Sequence, residues 1–256
     1  MSASVICLMT GRSTNNLQLS IIIPVWNERP NLPCFLSQFD RCDWYELVVV
    51  DGGSTDGSQS YLEQQKEIRY YTSEKGRANQ MNHGAAKARG PWLLFLHVDS
   101  KLPSTWQTLV QSCLGQQQVI ACFRLRFDHD HPLLRLAAYG SRWPSLWFRG
   151  GDQGLLVRQC DFTAVGGYDP NFVVCEDLEI IRRLFQVCTL VVWPAALMSS
   201  ARKFVKHGIV YTHFHFRILH ALHYLGCSPS LLSRYYSRRF GNSQSIANQI
   251  IRRENC

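Results

Sequence analysis

The strongest constraint on the fold of this chain is a regular alternation of short apolar runs and amphipathic segments over residues 19–100. Two of the runs, LSIIIPV and LVVV, are continuous and rich in β-branched residues, which is typical of parallel strands buried on both faces. The predicted strands of this part span 19–25, 47–50, 68–73 and 91–100, and the predicted helices span 31–39, 58–65 and 77–89. This order predicts an α/β protein with an open sheet, which binds ligands outside the carboxyl ends of its strands.

The second half of the chain predicts further strands and helices. VIACFRLRFD at 119–128 alternates apolar and polar residues, which predicts a strand with one wetter face. Residues 132–148 predict a helix that breaks at Pro144, because proline lacks the amide hydrogen that a helix interior needs. LLVR and TLVVWP predict short strands, and CEDLEIIRRLFQ between them predicts a helix. With 256 residues and 46% hydrophobic composition, the chain is expected to form one main domain.

The net charge of +8 is concentrated in the last fifth of the chain. Residues 1–201 hold 18 basic and 18 acidic residues, whereas residues 202–256 hold nine basic residues and one acid. A groove for nucleic acid would spread positive charge over the body of the fold, so no nucleic-acid partner is expected. We predict a ragged leader at 1–18, a main domain at 19–201 and a basic, helical segment at 202–256.

Cysteine usage and hydropathy indicate a cytoplasmic protein. The ten cysteines form no CxxC pair and no short secreted framework, so we interpret them as reduced thiols. The apolar run Val5–Met9 is too short for the core of a signal peptide. The best candidate for a membrane span, residues 208–225, contains Arg217 and four histidines, so an integral membrane protein is not expected.

The stretch LVVVDGGSTDGS runs from a predicted strand through Asp51 into a glycine-rich loop. The glycines let the backbone turn tightly before the next helix begins. In dinucleotide-binding folds an acid at this position holds a ribose, but those folds need glycines after strand one, where this chain has PVWNE. A Rossmann dehydrogenase is therefore disfavoured, and an aspartate that caps a tight turn stays open as the simpler interpretation.

Two further loops carry groups suited to metal and phosphate. His97 and Asp99 stand two apart at the end of the fourth predicted strand, where alternate side chains point the same way. A carboxylate there is placed to hold Mg²⁺ or Mn²⁺, hard cations that bridge phosphates. Lys75, Gly76 and Arg77 at a helix start offer backbone donors and two cations to a phosphate. Taken alone, the first pattern is more often a capped strand end, and the second is as often a solvated basic turn.

Seven segments, taken in order, carry a family resemblance over most of the chain. They are SIIIPVWNE at 20–28, VVVDGGSTDGS at 48–58, KGRANQMNHGAAKARG at 75–90, LLFLHVDS at 93–100, GGDQGLLVR at 150–158, FTAVGGYD at 162–169 and CEDLEIIRRL at 175–184. Their order and spacing resemble the family-2 glycosyltransferases, and the nearest likeness is to a short bacterial subgroup associated with radical-SAM/selenodomain proteins. The resemblance implies a GT-A type nucleotide-sugar-binding fold: a Rossmann-like, open, mostly parallel sheet flanked by helices, with a basic helical C-terminal segment.

The resemblance implies a nucleotide-sugar site at the loops that follow the strands. The implied binding residues are Pro24, Asn27, Glu28, Asp51, Asp56, Arg77 and His97. Among them Asp51 would meet the base or the ribose, and Arg77 would approach the base or the pyrophosphate. The implied donor is a UDP- or GDP-linked sugar.

The resemblance also implies a metal site and a general base. Asp99 would be the metal-binding carboxylate of the family's DxD motif, for Mn²⁺ or Mg²⁺, while His97 stands where the first aspartate usually lies. This departure leaves the identity of the metal open. His207 would complete the metal shell, as a late histidine does in some relatives. Asp177, in the pair with Glu176, matches the family's ED motif and would be the base, ionised at neutral pH if its pKa is about 4.

The implied reaction moves a sugar, most simply a hexose, to an acceptor hydroxyl with inversion. Gly151, Asp152 and Gln153 would lie near the transferred sugar or the acceptor. The leaving diphosphate needs neutralisation while a base deprotonates the attacking hydroxyl. Without the resemblance, Asp177 would be interpreted as a helix N-cap. Two other functions stay open: a sugar nucleotidyltransferase, which should show a glycine-rich basic loop after strand one, and a catalytically idle sugar-nucleotide-binding protein.

The basic segment predicts an amphipathic helix over 208–225. Its apolar stripe contains Val210, Phe214, Ile218, Ala221, Leu222 and Leu225. Beyond it, Arg234, Arg238 and Arg239 are interleaved with aromatic residues, which suits an anionic membrane surface or a lipid-phosphate acceptor. We therefore expect a lipid-linked acceptor and peripheral contact with the inner face of the cell membrane, with an ordinary solvated face as the alternative.

Overall fold

The structure is a computed structural model that describes residues 16–241. The predicted leader and the end of the basic segment lie mostly outside the described residues. The strands are β1 Leu19–Val25, β2 Tyr45–Asp51, β3 Ile68–Thr72, β4 Trp92–Phe95, β5 Val119–Phe127, β6 Leu155–Arg158 and β7 Thr189–Ser199. The α-helices are α1 Leu32–Leu36, α2 Ser58–Glu63, α3 Arg77–Lys87, α4 Trp106–Gln111, α5 Pro132–Gly140, α6 Gln159–Ala164, α7 Glu176–Leu184, α8 Arg202–His207, α9 Ile209–Tyr224 and α10 Pro229–Phe240. Short 3₁₀ turns span Leu146–Phe148 and Gly151–Gln153.

The described strands form one sheet in the order β3-β2-β1-β4-β6-β5-β7. β6 runs antiparallel to β4 and β5, and the other neighbouring pairs are parallel. Because β1 pairs with β2 on one side and β4 on the other, the strand order reverses at β1. A crevice opens at such a reversal, outside the carboxyl ends of the strands. The predicted open and mostly parallel sheet is confirmed.

Helices cover both faces of the sheet, which explains the continuous apolar runs. Ile21 and Ile23 of β1 belong to the apolar cluster that contains Phe35 of α1, whereas Ile22 belongs to the cluster that contains Met81 of α3. All three isoleucines are fully buried. Since successive side chains of a strand point to opposite faces, a strand covered on both faces is apolar at nearly every position.

The fourth strand ends earlier than the sequence predicts. β4 stops at Phe95, and a turn follows in which the Ser100 amide donates to the His97 carbonyl at 3.1 Å. His97 and Asp99 therefore lie on a turn and not at alternate positions of an extended strand. The two side chains differ accordingly, since His97 is buried and Asp99 is half-buried.

The basic segment packs on the body of the protein through α5. Leu134 of α5 and Phe204 of α8 share an apolar cluster, which Phe216 of α9 completes. The predicted helix over 208–225 is present as α9, but its apolar stripe points outward. Phe214 is 61% exposed and Leu225 is 80% exposed, while the buried residues of α9 are Thr212, His215, Leu219 and His223. No helix among residues 16–241 has the length and hydropathy to cross a bilayer.

A single glutamine of α3 joins the carboxyl ends of β1 and β2. Gln80 is buried, and its Nε2 donates to the Val25 carbonyl at 2.7 Å and to the Val50 carbonyl at 2.8 Å. The same side chain lies against Gly52, where an added Cβ would be 3.0 Å from Gln80 Cδ. The amide therefore sets the spacing of the two strand ends and of the loops that leave them.

We predict that Gln80→Leu lowers the free energy of unfolding by about 2–4 kcal/mol, because two buried carbonyls each lose a side-chain hydrogen bond. Chemical denaturation would measure this as a lower midpoint. Gln111→Leu, at an exposed glutamine of α4, is the matched control and should leave the midpoint nearly unchanged. Equal midpoints for Gln80→Leu and the wild type would show that the glutamine does not hold the strand ends together.

Candidate active site

The loops after β1 and β2 are tied together by hydrogen bonds. Asn27 adopts a left-handed backbone conformation with φ of 54°. Its Oδ1 accepts from the Thr55 amide at 2.8 Å, and its own amide donates to Ser54 Oγ at 2.8 Å. The following amide, of Glu28, donates to Ser58 Oγ at 3.2 Å. These two loops therefore form one connected wall of the crevice.

Asp51 lies at the base of this wall and is fully buried. Its Oδ1 accepts from the Gly53 amide at 2.8 Å and the Ser54 amide at 2.7 Å, and Gln59 Nε2 donates to it at 3.1 Å. One carboxylate oxygen thus holds the tight turn, as the simpler interpretation of this aspartate expects. The other oxygen, Oδ2, is buried without a hydrogen-bond partner, which is a costly arrangement for a carboxylate.

Asp56 serves the structure of the second loop. Its Oδ2 accepts from the Arg29 amide at 2.9 Å, and its Oδ1 accepts from the amide of Ser58 at 3.0 Å and from the hydroxyl of the same serine at 2.6 Å. The carboxylate therefore links the two loops and fixes the start of α2. Pro24, near the end of β1, is half-buried.

Glu28 connects the first loop to the basic segment. Its Oε1 lies 3.3 Å from Arg202 Nη2 of α8, and its Oε2 accepts from Asn31 Nδ2 at 2.5 Å. The sequence places these charges 174 residues apart, so nothing in the local pattern predicts the pair. The basic segment is thereby in contact with a predicted nucleotide-binding residue.

Lys75, which the sequence suggests as a cation for a phosphate, forms a platform with Trp26, a residue that sequence reasoning missed. The Trp26 indole is 42% exposed, and Lys75 Nζ lies 3.4 Å from the centroid of its ring. Burial lowers the pKa of Lys75. The signal available in the sequence was a tryptophan in PVWNE, the loop that follows the first predicted strand.

A cluster of carboxylates surrounds Arg77 on the other side of the crevice. Arg77 Nη1 lies 3.5 Å from Glu176 Oε1. Desolvation lowers the pKa of Arg77, but Glu176, Asp177, Asp152 and Asp99 outweigh it and raise that pKa above the ordinary value. These residues come from four separate segments of the chain, so the fold assembles the group that the resemblance implies.

Gly151 lets the general-base candidate approach His97. His97 Nε2 lies 3.9 Å from Asp177 Oδ2. A Cβ added at Gly151 would be 2.7 Å from His97 Nε2 and closer still to Asp177 Oδ2. Only glycine fits between these two side chains, so the loop GGDQ needs a glycine at this position.

The carboxyl groups of Asp177 and Asp152 bind protons more tightly than ordinary aspartates. Burial first, and then the neighbouring Glu176 charge, raise the pKa of Asp177 to about 8. Burial and the Asp99 charge likewise raise the pKa of Asp152. The expected Asp177 pKa of about 4 is therefore wrong for the free protein, because the fold removes this carboxyl from water and places it beside other acids.

His97 is neutral, and the reason includes a residue that sequence reasoning missed. Burial first, then the charges of Arg77 and of Lys203 on α8, hold the pKa of His97 well below its ordinary value. Lys203 is thus close enough to act on the carboxylate cluster. The sequence gives no sign of this, because Lys203 is one of several basic residues in the same segment. The contact between His97 and Asp177 joins a neutral imidazole to an acid and is not an ion pair.

Tyr168, beside Asp177, is another residue that sequence reasoning missed. It is buried, its hydroxyl has no well-formed hydrogen bond, and it lies close enough to lower the pKa of Asp177 against the other effects. Asn82 holds the backbone of Tyr168 on both sides, since its Nδ2 donates to the Tyr168 carbonyl at 2.7 Å and its Oδ1 accepts from the Tyr168 amide at 2.9 Å. Tyr168 lies within the segment FTAVGGYD, where the sequence gives it no role.

The side chain of Gln153 is committed inside the protein. Gln153 is buried, and its Nε2 donates to the Phe148 carbonyl at 2.6 Å. The neighbouring Arg149 is also buried and donates to the Ser141 carbonyl at 2.6 Å. These contacts anchor the loop from within. Of the three residues predicted to lie near the sugar or the acceptor, Gln153 therefore points away from the carboxylate cluster, whereas Asp152 belongs to the cluster and Gly151 lies against Asp177.

A divalent cation fits this site only if a ligand supplies part of its coordination. No group of three or more His, Cys, Asp or Glu residues among residues 16–241 is arranged to hold a metal. Mg²⁺ and Mn²⁺ are commonly held by one or two carboxylates together with substrate phosphates, which suits the half-buried Asp99. The His207 ring packs against Phe240, with 5.5 Å between the ring centroids. A role for His207 as a metal ligand stays a prediction.

Two curated relatives match parts of this chain. The PGL/p-HBAD biosynthesis glycosyltransferase Rv2957 of Mycobacterium tuberculosis (strain ATCC 25618 / H37Rv) is 38% identical over 91 residues, which cover 32% of this chain and 36% of that protein. The lipopolysaccharide core biosynthesis glycosyltransferase LpsC of Rhizobium meliloti (strain 1021) is 31% identical over 114 residues, which cover 43% of this chain and 42% of that protein. The chain therefore matches less than half the length of either relative.

A solved structure and a family model cover more of the chain. The mannosyltransferase PcManGT from Pyrobaculum calidifontis, in complex with GDP-Man and Mn²⁺, superposes with a TM-score of 0.65 at 17% identity and covers 87% of this chain and 69% of its own. The likeness to the radical-SAM-associated subgroup stays a prediction. The sequence model for glycosyl transferase family 2 matches residues 20–163, more than half of the chain. With this match and a GT-A type α/β fold, the chain belongs to glycosyl transferase family 2.

Proposed function

We propose that this protein transfers a sugar from a nucleotide diphosphate sugar to an acceptor hydroxyl, with inversion at the anomeric carbon. One observation carries the proposal: the carboxyl of Asp177 lies across Gly151 from His97, and its charge acts on Arg77 together with that of Asp99. A base thereby faces the groups that would hold a leaving diphosphate. Such an arrangement suits direct displacement, in which no covalent sugar-enzyme intermediate forms.

The loops after β1 and β2 would bind the nucleoside of a UDP- or GDP-linked donor. The unpartnered Asp51 Oδ2 would accept a hydrogen bond from the base or the ribose after a small movement of the loop. The exposed Trp26 ring offers a flat surface against which a base can stack. Asn27, Glu28 and Asp56 would act mainly by holding this wall in shape.

Asp99, with the diphosphate, would hold a divalent cation that neutralises the leaving group when it is bound. Arg77 and Lys203 would add positive charge on the two sides of the diphosphate. Neutral His97 suits this place, because a protonated imidazole would repel the cation. Among the described residues, Arg77 and Lys203 are the cations that lower the pKa of Asp152, while Asp99 and Glu176 raise it, so a divalent ion would also relieve the repulsion among the carboxylates.

Asp177 would accept the proton of the acceptor hydroxyl as that oxygen bonds to the anomeric carbon. The bond from this carbon to the diphosphate oxygen breaks in the same step, and its electron pair leaves with the nucleoside diphosphate. A base whose pKa lies close to the working pH is well matched to such a transfer. Tyr168 would steady Asp177, and Glu176 would hold Arg77 in place through their ion pair.

Two other functions are less well supported. A sugar nucleotidyltransferase should carry a glycine-rich, basic loop after β1, and PVWNE is neither. A catalytically idle sugar-nucleotide-binding protein has no need for a buried acid of raised pKa beside its donor site, because such a group destabilises the fold and is typical of catalytic centres. A protein that binds the donor but shows no turnover would be the idle form, so a measurement of turnover separates this alternative from glycosyl transfer.

We predict that Asp177→Asn lowers turnover by roughly 10²- to 10⁴-fold, the usual scale for a lost general base. Donor affinity should survive, because the nucleotide is held by the other wall. Transfer assays and donor titrations on the same variant would measure both. Asp43→Asn, at an exposed aspartate, is the control. Near-normal turnover in Asp177→Asn would assign the base to Glu176 or Asp152.

The same variant should be more heat-stable than the wild type at alkaline pH. The folded protein keeps a proton on Asp177 up to about pH 8, whereas the unfolded chain releases it near pH 4, so wild-type stability falls as pH rises through this window. The asparagine variant lacks this loss. Melting curves at several pH values should show a difference that grows from pH 5 to pH 8. A constant difference would mean that the Asp177 pKa is not raised in the folded state.

For Asp99→Asn we expect donor affinity in the presence of Mn²⁺ to fall by roughly tenfold or more, the scale of one lost charge-assisted contact. The melting temperature should hardly change, because this half-buried side chain makes no hydrogen bond or ion pair within residues 16–241. Titration of the nucleoside alone is the control and should be unaffected. Wild-type affinity with unchanged Mn²⁺ dependence would remove Asp99 from the metal site.

We further propose a lipid-linked acceptor and reversible contact with an anionic membrane surface. α5 and α9 are neighbours, and the two helices with the turn after α5 expose large apolar side chains. These outer apolar residues are Leu136, Tyr139, Trp143, Val210, Phe214 and Leu225. Residues 202–241 hold seven Lys or Arg and no acid. Exposed apolar surface beside positive charge is typical of segments that lie in a membrane interface.

Vesicle co-sedimentation tests this contact. Phe214→Glu and Leu225→Glu should each reduce binding to phosphatidylserine vesicles by tenfold or more, since each removes about 1.5–3 kcal/mol of apolar burial. Val187→Glu introduces the same charge at an exposed valine outside the basic segment and should have little effect. Wild-type binding should weaken as salt rises, because the attraction of basic residues is screened. Binding that ignores salt and anionic lipid would contradict the proposal.

A further inference from the structure

The hydroxyl of Tyr168 is buried beside the general-base candidate without a settled hydrogen bond. Tyr168 is 1% exposed, and its hydroxyl makes no well-formed hydrogen bond within residues 16–241. A buried hydroxyl of this kind destabilises a fold, because it gives up its bonds to water and gains none in exchange. Phenylalanine would fill the same space without that cost. Packing alone therefore does not explain why a tyrosine stands at this position.

The backbone and the ring of Tyr168 are both held in place. Gly167, the residue before it, has φ of 68°, a left-handed conformation that favours glycine. A Cβ added at Gly167 would be 2.8 Å from Asn82 Oδ1, the atom that accepts from the Tyr168 amide. The ring packs against Phe95 and Phe162, with 5.2 Å and 5.8 Å between the centroids. The direction of the hydroxyl is therefore set by its surroundings and not by a hydrogen bond of its own.

Asp177 is the acid beside this hydroxyl. Burial first, and then the charge of Asp177, raise the pKa of Tyr168 well above its ordinary value, so the hydroxyl keeps its proton. Burial is also the largest effect on the pKa of Asp177, which it raises, while the Tyr168 hydroxyl acts in the opposite direction. Tyr168 is thus a permanent proton donor next to a carboxyl that can be neutral or charged.

Asp177 is also faced by titratable and charged groups from other elements. These groups are Glu176 and Cys175 at the start of α7, Arg77 of α3, Asp152 of the second 3₁₀ turn and His97 of the turn after β4. After burial, Glu176 and Asp152 raise the pKa of Asp177, and Arg77 lowers it. His97 and Cys175 are neutral, because burial lowers the pKa of the imidazole and raises that of the thiol to about 12. Within the described part of the chain, Arg77 and Tyr168 therefore favour the ionised form of Asp177, one as a cation and the other as a neutral donor.

We propose that Tyr168 is a positioning residue whose hydroxyl donates a hydrogen bond to Asp177 once that carboxyl has lost its proton. The bond is then charge-assisted and about twice as strong as a bond to a neutral carboxyl. It leaves the second carboxylate oxygen free to accept the proton of the acceptor hydroxyl. This role rests on the proposed function of Asp177 as the base, and it adds that Tyr168 sets the acidic limit of glycosyl transfer.

The pH profile of transfer tests this role, because Tyr168→Phe keeps the ring and removes only the hydroxyl. The acidic limb of kcat/KM should move up by about one pH unit, the scale of one charge-assisted hydrogen bond, so transfer below the limb falls about tenfold. The alkaline plateau should stay near the wild-type value. Tyr45→Phe is the matched control, since this buried tyrosine of β2 donates to the Asp40 carbonyl at 2.5 Å, and its loss should not move the limb. An unmoved limb in Tyr168→Phe, or an equal fall at every pH, would overturn the proposal.

Thermal stability measures the same contact without turnover. In buffer without divalent metal, the folded protein keeps the Asp177 proton up to about pH 8, so the hydroxyl gains its anionic partner only above that pH. Tyr168→Phe should therefore melt at or above the wild-type temperature at about pH 6 and below it at about pH 9. In the Asp177→Asn background this pH trend should vanish. A deficit that is the same at both pH values and in both backgrounds would overturn the proposal.

The failure of this role and the failure of the proposed function give different results. A pH-dependent stability effect with near-normal turnover in Asp177→Asn would support the hydrogen bond and remove the base role from Asp177. A pH-independent effect with lost turnover in Asp177→Asn would keep the base and overturn the role of Tyr168.

Discussion

The close packing of α3 on β1 is the contact on which the rest of the crevice depends. A Cβ at Gly84 would lie 2.5 Å from Ile22 Cγ2, so only glycine lets the helix sit this near to the sheet. At that distance Gln80 reaches the ends of both β1 and β2, and Asn82 reaches the backbone of Tyr168. The motif KGRANQMNHG thus combines a packing surface at Gly84 with two side chains, Gln80 and Asn82, that hold neighbouring backbone. A small outward shift of α3 would separate both walls of the crevice at once.

The electrostatics of the crevice oppose the stability of the fold. Four carboxylates with two cations, partly withdrawn from water, raise the free energy of the folded state, and the raised pKa values of Asp177 and Asp152 report that cost. Such strain is common where a protein must bind charged ligands, because the ligand then supplies the missing charge. Gly151 sharpens the conflict by permitting the approach of Asp177 to His97. The buried apolar clusters on the two faces of the sheet hold this arrangement together.

The sequence predicts the first half of the sheet well, because strands buried on both faces are written as unbroken apolar runs. It predicts the shift in the pKa of Asp177 poorly, since that shift depends first on burial, which the fold creates, and also on Asp152, which comes from a distant loop. An apolar stripe on α9 is visible in the sequence, but periodicity does not say whether the stripe faces the protein or the solvent. The apolar pattern also does not show where β4 ends, because a turn closed by the hydrogen bond from the Ser100 amide to the His97 carbonyl follows the strand.

The ion pair between Glu28 and Arg202 makes the basic segment and the nucleoside loop thermodynamically linked. Whatever displaces α8 also frees Glu28, and by reciprocity whatever reorders the loop changes the ease of displacing α8. The size of this linkage is bounded by the pair itself. Arg202 is 64% exposed, and exposed pairs contribute about 0–1 kcal/mol, so attachment and donor affinity can influence each other through this contact by at most about fivefold.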